Sequence, residues 1–117
     1  MATVDDRVAA LEDLVELRVP VATSRARLAR FAWDSDELVT LTTDHVGSVL
    51  ERVRDGEVDL AEAEAWADSV HLRDDVGRES GRDDVLNEVL IEMSSPELFG
   101  PLSEIGPDLL TRLAALG

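Results

Sequence analysis

Two apolar stripes at helical spacing, parted by one glycine stop, constrain this chain more than any other feature. In residues 43–71, TDHVGSVLERVRDGEVDLAEAEAWADSVH, Val46, Val49, Leu50 and Val53 fall on one face of a helix. Ala63, Trp66, Ala67 and Val70 form the matching stripe of a second helix, with Trp66 expected in the core and its indole N–H in need of a partner. Gly56 suits the left-handed residue that closes the first helix, because it has no Cβ to clash there. Asp59 stands three residues before Glu62, a loose capping box that places the second helix start near Leu60.

The flanking sequence adds helices of the same kind. Val4, Val8, Leu11 and Val15 predict an amphipathic helix over roughly residues 3–18, stopped by Pro20. Thr23 or Ser24 would cap a short second helix holding Leu28 and Phe31. Residues 37–42 alternate as a strand would, but a lone strand makes no sheet, so they read as a loop ending in a cap at Thr42 or Thr43. The stretch LRDDVGRESGRDD reads as a long exposed connection. A helix from about Asp83 to Met93 ends at Ser94-Ser95-Pro96. Gly106-Pro107 opens the last helix, whose Leu109, Leu110, Leu113 and Leu116 repeat at helical spacing. The expected fold is all-α: one domain over 1–117, a small bundle of five to six helices.

Charge narrows the partners. There are 26 acids against 11 bases, every base is arginine, and the net charge is −15. Such a chain is repelled by nucleic-acid phosphates and anionic membrane surfaces. Genome composition or salt adaptation would produce the same bias, so acidity alone names no function. No apolar run approaches a membrane span, and the acidic N-terminus lacks the pattern of a secretory signal, so a cytoplasmic protein is expected. The acid-free segment from Val19 to Trp33 carries Arg25, Arg27 and Arg30, which would pair with the protein's own carboxylates.

Catalytic patterns are thin. The chain has no cysteine, no G-x-S-x-G and no glycine-rich phosphate loop. Asp68 and His71, three apart on one helix face, are half of a carboxylate-x-x-His pair, and a di-metal bundle needs two such motifs with further glutamates. No cofactor is expected, and a metal-dependent enzyme is the least favoured reading.

The segment FAWDSDELVTLTTDHVGSVLERVRDGEVDLAEAEAWADSV, about a third of the chain, resembles short acidic all-α bacterial proteins that share the W-D-S-D-E turn, the L-E-R…G-E helix stop and a following W-A. Its V-L-E-R-V-R-D-G-E-V-D-L-A-E portion is similar, more loosely, to the first helix pair of colicin-D-type immunity proteins. That resemblance implies an acidic bundle that plugs the basic active site of a toxin nuclease. The leading expectation is thus a non-enzymatic inhibitor of immunity or antitoxin type. Its contact set would be Asp55, Glu57, Asp59, Glu62, Glu64, Asp68, Asp74 and Asp75, gathered on one helical face, with Trp33 as anchor. The alternative is a structural or regulatory homo-oligomer; monomer and homodimer both stay open.

Overall fold

Trp66 is fully buried, and its indole N–H donates to the Leu14 carbonyl at 2.8 Å. The computed structural model describes residues 3–31 and 36–116. Along them run α1 (Val4–Val15), α2 (Val21–Leu28), β1 (Val39–Leu41), α3 (Thr43–Arg54), α4 (Leu60–His71), β2 (Val76–Arg78), α5 (Asp83–Ser94), α6 (Pro96–Phe99) and α7 (Leu102–Ala114). Helix α4, which carries Trp66, packs on α1, α2, α3 and α5, while α7 lies along α3. The core is almost wholly aliphatic around that one indole, as a chain with only 3% aromatics requires. No helix among the described residues is long and apolar enough to cross a membrane.

The helix ends show why these segments stop where they do. Thr3 and Thr42 each form a capping box, with Asp6 and His45 returning the second bond. Gly56, at φ +79°, closes α3 as its position predicts. Helix α1 ends without a glycine. Leu17 takes φ +48° there, a conformation that costs a non-glycine residue about 1–2 kcal/mol. The freed carbonyls are satisfied from outside: Trp66 serves Leu14, and Arg52 of α3 donates to Glu16 at 2.8 Å and Leu17 at 3.1 Å.

Several expectations are corrected. The bundle has seven helices among the described residues, and it also has a two-stranded parallel sheet. The partner of Val39–Leu41 is Val76–Arg78, within the stretch read as an exposed connection; Val39 faces Val76 and Leu41 faces Arg78 in register. Its Val76 is buried. Helix α2 starts at Val21, before Thr23 and Ser24, because its cap comes from another helix: the Glu62 carboxylate accepts from the Val21 N–H at 3.0 Å. Helix α4 has no side-chain cap hydrogen bond from Asp59, so the expected capping box does not form. Helix α7 begins at Leu102 behind Pro101, and Pro107 sits inside its second turn, forgoing one backbone bond at an exposed position.

Replacing Trp66 by Phe removes the donor to Leu14 while keeping most of the apolar bulk. The carbonyl keeps the Leu17 N–H at 3.0 Å, so losing the indole bond should destabilise the fold by about 0.5–1.5 kcal/mol. Urea unfolding monitored by circular dichroism checks this, and an unchanged midpoint would show that the bond contributes nothing.

Candidate protein-binding surface

Several arginines join one element to another, and others pair within a few residues of themselves. Arg27 of α2 reaches Asp13 of α1 at 2.7 Å, and Arg25 reaches Ser69 of α4 at 2.7 Å and Asp68 at 3.7 Å. Arg112 of α7 makes a bidentate pair with Glu92 of α5 at 2.7 and 2.8 Å. Arg52, Arg78 and Arg82 donate to backbone carbonyls, and Arg18 pairs with Asp13 and Glu16. With Arg7, Arg73 and Arg54 paired to aspartates, ten of the eleven bases find partners among the described residues. Of the acid-free segment, Arg25 and Arg27 turn to the protein's own carboxylates as expected, while Arg30 is exposed and pairs with none among the described residues.

One member of the expected contact set is removed from the surface. Asp75 is buried, with hydrogen bonds from Arg7 at 3.0 and 2.8 Å and from Arg73 at 2.8 and 2.9 Å. Burial pushes its carboxyl pKa up, and the hydrogen bonds and charge of Arg73 and Arg7 more than offset this, holding it below the ordinary aspartate value. Arg7 in turn stacks over the Phe31 ring at 5.4 Å. Glu62 is half-buried and caps α2, and Asp68 shares its charge with Arg25. Asp55, Glu57, Asp59 and Asp74 are exposed, and Glu64 is half-exposed. Glu57, Asp59 and Glu62 do line one open depression, of about 630 Å³, but Arg18 and Arg52 line it too. Trp33 lies outside the described residues.

The acids are also not confined to the α3–α4 pair. Exposed carboxylates stand on α1 (Asp5, Asp6, Glu12), α5 (Asp83, Asp84, Glu88) and α7 (Glu104, Asp108) as well. A sequence in which acids occur in nearly every turn cannot gather them on one face. Helix α2 alone, among the longer helices, has none. Asp68 and His71 assemble no metal centre: among the described residues no group of three or more His, Cys, Asp or Glu is placed to hold an ion.

What the sequence reading missed is a groove along the seam of α3 and α7. At its wider end Leu50 and Val53 of α3, Leu60 of α4 and Leu102, Gly106 and Leu110 of α7 enclose about 580 Å³. Leu110 also lines its narrower continuation of about 290 Å³, with Asp44, Gly47 and Glu51 of α3 and Ala114 of α7. No Cβ added at Gly47 or Gly106 would meet another atom within 4 Å. The signal was present: a glycine inside a helix costs about 1 kcal/mol against alanine, so Gly47 asks for a reason. Comparison of the chain with known protein families, curated proteins and solved structures gives no match.

Replacing Asp75 by Asn should cost about 3–5 kcal/mol, since it strips the buried Arg7 and the half-buried Arg73 of their counter-charge. The linkage has a definite sign. A carboxyl whose folded pKa is depressed stabilises fully above its unfolded value, about 3.9, and loses that contribution as pH falls through the folded value. Unfolding free energies measured from pH 7 downward should therefore fall in the wild type below about pH 5 more steeply than in the variant. Parallel curves would refute the assignment.

Proposed function

We propose that this chain is a non-enzymatic protein-binding module of immunity or antitoxin type, acting in the cytoplasm by occluding a basic partner such as a toxin nuclease. The observation that carries the reading is the division of labour between charges. Ten arginines are spent on internal contacts, while most carboxylates point outward, so the net −15 is presented to solvent. Carboxylates fixed on helices attract a cationic cleft and speed encounter with it. The acids are spread over the molecule, so the long-range field steers, and a local feature must fix the register. The exposed α3–α4 turn with Asp55, Glu57 and Asp59 is the best placed of the expected residues, with Glu64 and Asp68 following along α4 and Asp74 in the turn after it.

A second reading, self-association, is favoured by exposed apolar side chains at Ile91, Leu98 and Phe99 on α5 and α6. Sedimentation at low and high salt separates the two. A monomer at both supports the inhibitor, and a stable dimer supports the scaffold.

Charge reversal of Glu57 and Asp59 to Lys spares the buried and capping carboxylates, so it should leave stability within about 0.5 kcal/mol. It should slow association with the basic partner recovered from native lysate by about tenfold at low salt and flatten the salt dependence. Stopped-flow association rates at two ionic strengths test this. Unchanged rates would reduce these acids to a solvated surface.

A further inference from the structure

We propose that the groove between α3 and α7 seats a basic amphipathic helix of the partner, apolar face down and cationic face against the surrounding carboxylates. This rests on the reading that the partner is basic, and adds where and in what form it docks. The shape is that of a helix site. The seam runs along helices of twelve and thirteen residues, about 18 Å at 1.5 Å per residue, or about three turns of a bound helix. Leu50, Leu102 and Leu110 supply apolar walls, and the open space above Gly47 and Gly106 lets another element approach closely. An amphipathic helix fills such a groove with anchors at i, i+3 or i+4 and i+7.

The charge around the groove selects among occupants. Asp44 and Glu51 line its narrow end. At its wide end Leu60 follows directly on the turn that carries Asp55, Glu57 and Asp59, all exposed. The one arginine on the wall, Arg54, is bonded to Asp55 at 3.1 Å. A second copy of this chain would bring −15 against −15, and a neutral helix would gain nothing from the rim. A helix bearing Lys or Arg on its outer face satisfies both the groove and the rim.

The test uses the full chain and two synthetic Leu/Lys peptides of about three helical turns, one with leucines at amphipathic spacing and one of the same composition scrambled. Binding is titrated calorimetrically at low and high salt. Gly47→Leu and Gly106→Leu are made singly and together to fill the groove; Gly47 is an ordinary helical position where a side chain favours the helix, whereas Gly106 precedes Pro107, whose ring crowds a Cβ there, so Gly47→Leu is the decisive variant. Each single variant is read independently, with thermal melts confirming that it folds. The amphipathic peptide should bind at least about tenfold more tightly than the scrambled one and lose about that factor in the filled variants. If E57Q and D59N weaken binding while groove filling does not, the groove assignment fails and the basic-partner reading survives. Equal binding of both peptides overturns the groove too. If the wild type is a dimer that groove filling dissociates, a second copy is the occupant and the proposal is wrong.

Discussion

The Asp75 carboxylate, buried and accepting four hydrogen bonds from Arg7 and Arg73, is the interaction from which the non-helical part of the fold hangs. A carboxylate taken out of water is costly unless its lone pairs are filled, and here two guanidinium groups fill them. Arg7 belongs to α1, so the pair fixes the first helix to the segment before β2. The backbone carbonyl of the same residue accepts from the Leu38 and Val39 N–H groups at 2.8 and 3.3 Å, which delivers the chain into β1. One residue thus ties the first helix, the strand pair and, through Arg7 over Phe31, the end of α2. The strand pair in turn positions Glu79, whose carboxylate accepts from the Thr43 N–H at 3.0 Å at the start of α3.

The helices were legible because their information is local. Stripe spacing, Gly56 and Thr42 locate α1, α3 and α4 without reference to anything distant, although α1 stops at Val15, short of Pro20, which instead leads into α2. The strands were not legible, since Val76–Arg78 has no alternation of its own and becomes a strand only through Val39–Leu41, with two helices between them in sequence. Caps supplied from another helix were hidden for the same reason: nothing near Val21 announces that Glu62 will accept its N–H. Gly106-Pro107 is a local signal that misled, because an earlier start at Gly100-Pro101 prevailed.

The candidate site divides along the same line. That Asp55, Glu57, Asp59 and Asp74 are exposed follows from their polarity, and the sequence is enough to expect it. That Asp75 is structural, one residue after an exposed Asp74, depends on Arg7 sixty-eight positions away. The groove depends on how α7 lies on α3, which no spacing within either helix reports.

These charges form a hierarchy. Long side chains of arginine span between helices and are outnumbered at the surface by exposed carboxylates, so a small aliphatic bundle keeps its fold and a large negative field together. Net charge of this size repels copies of itself and draws cationic surfaces, which makes contact geometry the deciding question. Nitrogen-15 chemical-shift mapping of the chain, titrated with the basic partner, answers it most directly. Shifts confined to residues 43–60 of α3 and the following turn, and to α7, are the expected result; shifts centred on α2, or spread evenly over every helix, would contradict it.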